Sequence, residues 1–129
     1  MALSSDLITT ARQADLRRSI STAYYALFHG LAELAWTRVY RDLNHLTAKK
    51  ACNRPELQDC SQELVRFLMA FPTLQELRHQ ADYDPIVRFK QGEALSAADD
   101  AERALTGLQA APRDEQLDFI TLALGMTRS

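Results

Sequence analysis

Residues that interrupt a helix are scarce in this chain. Gly and Pro contribute only 4 each among 129 residues, and with Ala and Leu plentiful this favours helices over strands. Alternating apolar and polar runs never exceed about four residues, too short for a set of half-buried strands. Only two cysteines occur, Cys52 and Cys60; without a secretory segment they read as reduced thiols rather than a disulfide framework. No apolar run approaches the ~20 residues of a membrane span. The opening residues lack the basic-then-apolar order of a signal peptide, so a cytoplasmic, non-membrane protein is expected. The formal net charge of -2 provides no global basic field, and any contact with RNA or DNA must be local. There is no phosphate-cradling glycine loop and no nucleophile elbow. His29, His45 and His79 fall on separate expected elements with no short Cys or His spacing, so neither a metal nor a cofactor is expected.

What is present is helical periodicity. Length and composition indicate one domain over residues 1–129, with a core at about 15–110 and an accessory C-terminal helix at 113–124. A short amphipathic stretch, Leu7 to Ala11, is expected either as a frayed arm or as the first turns of the helix after it. From Asp15 to Tyr40, Leu16, Ile20, Ala23, Tyr24, Leu27, Phe28, Leu31, Leu34, Ala35 and Val39 recur at three- and four-residue steps, predicting one long helix. Gly30 inside it suggests close approach of another helix. Residues 41–53 read as a polar connection. Asn53 and Pro55 predict the cap and first turn of a second helix ending at Phe71, with Pro72 as its breaker. Thr73 and Glu76 form a capping-box pattern for a short helix to about Tyr83, stopped by Pro85. Residues 84–95 read as a loop, and Ser96 with Asp99 predicts the next start. Ala97, Ala101, Ala104, Leu105 and Leu108 then supply a small-residue face. Asp114 is expected to cap a last helix with Leu117, Ile120 and Leu124 inward, with a loose tail from Gly125. The fold class is therefore all-α, a four- to five-helix up-and-down bundle.

Two polar groups carry the candidate chemistry. Arg18, Ser21, Tyr25 and His29 succeed one another at steps of three, four and four, beside the apolar stripe of the long helix. Such a stripe is either an amphipathic boundary with polar tips in water or one wall of a groove. The segment Arg78-His79-Gln80-Ala81-Asp82-Tyr83-Asp84 concentrates ionisable groups at a helix end, with Arg78 and Asp82 four residues apart and able to pair. That pair is either structural or part of a site.

The two segments together resemble a known family. Arg17-Arg18-Ser19-Ile20-Ser21-Thr22-Ala23-Tyr24-Tyr25-Ala26-Leu27-Phe28-His29 is similar to the double-tyrosine helix of HEPN-domain proteins of the small prokaryotic type, and the segment from Arg78 to Asp84 resembles the R-x-x-A-D-Y-D motif located after it in that family. The resemblance spans roughly Asp15 to Leu108. It implies a HEPN-like helical bundle, a homodimer, and a place in a toxin–antitoxin or antiphage system with an antitoxin-type partner. Family members are metal-independent endoribonucleases or non-catalytic RNA- or nucleotide-binding modules. The ribonucleases carry Arg, four to six residues, then His. Here the positions reached from Arg78 are Tyr83, Asp84 and Pro85, so the motif is degenerate. The N-terminal region is also short beside the family pattern.

These readings give three expectations. The leading one is an RNA- or nucleotide-binding module without standard ribonuclease activity, its groove formed by Arg18, Ser21, Tyr25, Asp82 and Asp84. The second is a ribonuclease with a variant site, Arg78 clamping phosphate and His29 or Tyr83 transferring protons. The third is a helical adaptor with no nucleic-acid role.

Overall fold

A computed structural model describes residues 2–39 and 41–125, with side chains from residue 11 onward. Among these the chain is all-helical, with no strand: α1 (Ala2–Val39), α2 (His45–Ala51), a 3₁₀ turn (Pro55–Leu57), α3 (Gln62–Tyr83), α4 (Gln91–Ala110) and α5 (Arg113–Ala123). The stretch from Leu7 to Ala11 is continuous with the long helix, which begins at Ala2. Its expected end at Tyr40 and the tail residues 126–129 lie outside the described residues.

The core is made by α1, α3 and α4. Contacts of Arg17 with Ala81, and of Tyr25 with Arg78, show α3 running antiparallel to α1. Gly107 against Glu63 shows α4 antiparallel to α3. Ile20, Tyr24, Leu27 and Leu31 of α1 meet Leu64, Phe67, Phe71 and Leu74 of α3, and Ala97, Ala101, Ala104 and Leu108 of α4, all buried. The short helices α2 and α5 pack on one another. Gln116, buried on α5, donates to the carbonyls of Leu108 and Gln109 at 2.8 and 3.2 Å, satisfying groups at the C-terminal end of α4.

Several expected boundaries move. The polar connection at 41–53 contains α2, whose N-cap is Asn44, its side chain accepting from the N–H groups of Leu46 and Thr47. Asn53 and Pro55 start only the 3₁₀ turn; the cap of α3 is Ser61, whose hydroxyl accepts from Leu64 N–H. Glu115 of α5 accepts from both the backbone and the hydroxyl of Ser61, so the start of α3 depends on a residue 54 positions away. Pro72 lies inside α3 without ending it. An interior proline costs about 3 kcal/mol, but Phe71 and Leu74 on either side are buried, and that packing offsets the cost so that the helix continues. Thr73 caps nothing; its hydroxyl donates to the Met69 carbonyl at 3.2 Å. The supposed loop at 84–95 ends at Lys90, where α4 starts, with Glu93 accepting from Lys90 N–H at 2.9 Å. Ser96 and Asp99 are therefore interior, and Asp99 pairs with Arg103. Likewise α5 begins at Arg113 after Pro112 at the cap position, and Asp114 belongs to its first turn. Ile120 is inward as expected, whereas Leu117 and Leu124 are only half-buried; Gln116, Phe119 and Ala123 complete the inner face.

Two glycines mark close helix contacts of different kinds. A Cβ on Gly30 would lie 2.3 Å from Leu105 Cδ1, a flexible side chain. A Cβ on Gly107 would lie 2.4 Å from the backbone oxygen of Glu63, which cannot rotate away. Gly107→Ala is therefore expected to force α3 and α4 apart and destabilise by about 1–3 kcal/mol, the range for overpacking. Gly30→Ala should come close to neutral, because Leu105 can repack and about 1 kcal/mol of helix propensity is gained. Urea midpoints of the two variants measure the difference.

Candidate functional site

The antiparallel pairing of α1 and α3 brings together residues at four-residue steps on both helices. Ser21 Oγ donates to Asp82 Oδ1 at 2.5 Å. One turn further along α1, Tyr25 accepts from Arg78 Nη2 at 2.6 Å. Arg78 Nε lies 3.4 Å from Asp82 Oδ2, an ion-pair distance without hydrogen-bond alignment. The result is a chain Ser21–Asp82–Arg78–Tyr25 linking the two helices. The Arg78 side chain is only 17% exposed, and its guanidinium carbon lies 5.1 Å from the Tyr25 ring centre, 5.6 Å from that of Tyr24 and 5.8 Å from that of Tyr83. Aromatic faces stabilise such a charge when it is partly withdrawn from water. Burial works against the Arg78 charge, but the Tyr25 hydroxyl and the Tyr25, Tyr83 and Asp82 side chains outweigh it, so the guanidinium is more basic than usual.

Of the residues singled out in the sequence, Ser21, Tyr25, Arg78 and Asp82 thus converge. Tyr83 borders the cluster but is 65% exposed. His29 is exposed one turn beyond Tyr25, with ring centres 6.2 Å apart. His79 is exposed beside Tyr83, ring centres 5.0 Å apart. Arg18 does not join the groove. It is exposed and pairs with Asp15 on its own helix at 3.5 Å. There it borders a separate apolar groove of about 700 Å³ between α1 and α4. Asp84 also stands apart: its Oδ1 accepts from Ile86 N–H at 3.0 Å and closes the turn after α3.

Three residues of the cluster were not singled out in the sequence. Arg17 donates through Nη1 to the carbonyls of Gln80 and Ala81 at 3.3 and 2.9 Å and through Nη2 to that of Val87, tying α1 to the end of α3. Tyr24, wholly buried, places its hydroxyl 2.5 Å from His45 Nδ1. His45, the first residue of α2, stacks its ring on Phe28 with centroids 3.7 Å apart and planes at 15°. The signal for His45 was the Asn44 cap that starts α2, but its proximity to Tyr24 depends on the whole connection folding back.

Electrostatics distinguish the two aromatic hydroxyl–nitrogen partners. Burial raises Tyr24 above the ordinary tyrosine range, so it stays a phenol. Burial lowers His45 below its ordinary value near 6.5, and the charges of Arg78 and His29 lower it further. A depressed base favours folding above its unfolded pKa. As pH falls through about 6.5 the unfolded chain takes up a proton that the native His45 resists. This contribution to stability declines from there down to the native pKa. Urea midpoints measured from pH 7.5 to 5 should fall more steeply in the wild type than in His45→Gln; parallel curves would contradict a neutral native His45.

Among the described residues no group of three or more His, Cys, Asp or Glu side chains is placed to hold a metal ion. No described helix is long and apolar enough to cross a membrane. Cys52 is buried and Cys60 half-buried, both free thiols, and burial pushes Cys52 up to about 12. No family model, curated protein or solved structure matches this chain.

Proposed function

We propose that this chain is a HEPN-like helical module that binds a phosphate group of RNA or of a nucleotide, acting as a homodimer in a toxin–antitoxin or antiphage-type system with an antitoxin-type partner, and without standard ribonuclease activity. The observation that carries the reading is Arg78. A guanidinium held between tyrosine rings, mostly withdrawn from water, and near enough to His45 to lower its basicity has the character of a phosphate clamp. A permanent positive charge held in this way forms stronger charge-assisted bonds than one free in solvent.

The test is fluorescence polarisation with a labelled single-stranded RNA and with AMP as competitor. Arg78→Ala is expected to weaken binding by about tenfold or more, the loss of one charge-assisted hydrogen-bond set. RNA should remain intact in the absence of metal. A wild-type protein that binds neither probe overturns the reading, and a monomer at micromolar concentration by light scattering removes its dimeric part.

One observation favours the adaptor reading. The Ser21–Asp82–Arg78–Tyr25 chain is closed on itself, and Asp82 already offsets part of the Arg78 charge. Under that reading Arg78→Ala lowers stability and leaves RNA binding at background in both proteins.

A further inference from the structure

We propose that His45 is the neutral hydrogen-bond donor of this site, presenting Nε2–H beside the Arg78 guanidinium to one phosphate group, with Tyr24 as the positioning residue that sets its tautomer. The inference rests on the phosphate-binding reading above. Two hydrogen-bonding partners determine where the proton lies. Tyr24 is wholly buried and remains protonated, and its hydroxyl is 2.5 Å from His45 Nδ1. A phenol can donate or accept, but His45 Nδ1 is the one partner of the Tyr24 hydroxyl among the described residues, so we assign the phenol as donor, Nδ1 as acceptor, and the single proton of the neutral imidazole to Nε2.

A second charge on the ring is opposed from both sides. Among the described residues, the titratable groups facing His45 are Tyr24, Tyr25 and His29 from α1 and Arg78 from α3, and no carboxylate is among those that shift it. Protonation would also remove the acceptor that Tyr24 needs. The ring plane is held by the stack on Phe28, a contact that makes no demand on Nε2. His45 and Arg78 are docked on the same two tyrosines, with ring-centre distances from His45 of 5.7 Å to Tyr24 and 6.2 Å to Tyr25.

An independent observation marks the same place. Gln75 Oε1 and Arg78 Nε, one turn apart on α3, are buried side-chain atoms without hydrogen-bond partners among the described residues. Gln75 also reaches the His45 carbonyl through Nε2 at 3.5 Å. Native proteins leave few such atoms unsatisfied, and each one calls for a partner such as a ligand or a water. A neutral imidazole N–H beside a fixed charge is a recurring arrangement for stabilising oxyanions. It also explains a binding role. With Nε2 protonated and Nδ1 occupied, His45 has no lone pair to remove a proton from a ribose hydroxyl.

Nitrogen-15 NMR of the histidine rings in the full chain tests the tautomer, and polarisation with single-stranded RNA and with AMP tests the role. We expect neutral His45 with the proton on Nε2 at pH 7, and RNA affinity that is undiminished from pH 7 to 8. His45→Phe, which keeps the stack, should weaken binding by about tenfold, the worth of one hydrogen bond to a charged group. Tyr24→Phe should release the tautomer preference. Binding of RNA alone would identify the phosphate as a backbone diester, and binding of AMP alone as a nucleotide; either supports the site. An Nδ1–H tautomer, an imidazolium at pH 7, or unchanged affinity in His45→Phe would overturn it. If Arg78→Ala abolishes binding and His45→Phe does not, only the His45 assignment falls. If the wild type binds neither probe, the phosphate-binding reading falls and takes this site with it.

Discussion

Arg17→Ala is expected to lower the unfolding free energy by about 3 kcal/mol, because one charged side chain serves three carbonyls at the end of α3 and in the turn beyond it. The last carbonyls of a helix have no intrahelical donors. At this end Asp84 N–H bonds Gln80 O, and the Arg17 fork covers Gln80 again together with Ala81 and Val87. Its guanidinium also lies 5.4 Å from the ring centre of Phe89, which is buried. Gln13, one turn earlier on α1, bonds both the N–H and the carbonyl of Phe89 at 3.0 and 2.8 Å. Together the two side chains hold residues 84–90 against α1 and so place Asp82 and Tyr83. Arg17→Lys should recover less than half of the loss, since a single ammonium cannot span the three carbonyls. Urea titrations of the two variants measure this. An alanine variant within about 0.5 kcal/mol of wild type would mean that water serves those carbonyls equally well.

The second large effect is expected at Phe71. Phe71→Ala should cost about 4 kcal/mol, within the range for emptying a buried aromatic position. The side chain is wholly buried and its ring touches Phe67, Tyr24 and Phe28 at centroid distances of 5.4, 5.5 and 6.5 Å. Against a typical total of about 5–15 kcal/mol, such a loss leaves a marginal protein. Phe71 also backs the two rings that position His45, so damage should spread to the site. We expect the His45 nitrogen signals to broaden in Phe71→Leu, a milder variant that keeps most of the volume. A sharp, unchanged His45 signal in that variant would show that Tyr24 is held by its hydrogen bond alone.

The parts of the fold legible in the sequence are those governed by local periodicity. The apolar stripe of α1 needed only a three- to four-residue repeat, and Ile20, Tyr24, Leu27 and Leu31 are buried as that repeat predicts. Gly30 indicated a close neighbour, and Leu105 is there. The small residues of α4 form its inner face. Pro85 ends α3 because the residue before a proline avoids helical geometry, and Asp84 is extended. Pro72, the same residue type, did not end its helix. Its local cost is real, but burial of Phe71 and Leu74 depends on neighbours that no local window contains.

The candidate site divides along the same line. Spacing alone placed Tyr25 with Ser21, and Arg78 with Asp82, each pair on one helix face. Spacing also grouped Arg18 with Tyr25, although Arg18 reaches a nearer partner in Asp15. Nothing local linked the two pairs, which meet only because α3 lies antiparallel to α1 in one register. His45 is the extreme case, 21 residues from Tyr24 and 33 from Arg78 in the chain.

The sequence by itself determined that this protein is helical, where its long apolar stripe runs, and which polar residues share a face, because those properties arise from a repeat of 3.6 residues per turn. The tertiary structure decided which helix ends survive and which distant side chains become partners. A proline in mid-helix, a glutamate on α5 meeting the cap of α3, and a tyrosine hydroxyl set against a histidine ring nitrogen all depend on packing between segments far apart in the chain. Their energies come from burial and hydrogen bonds that exist only once the helices have met.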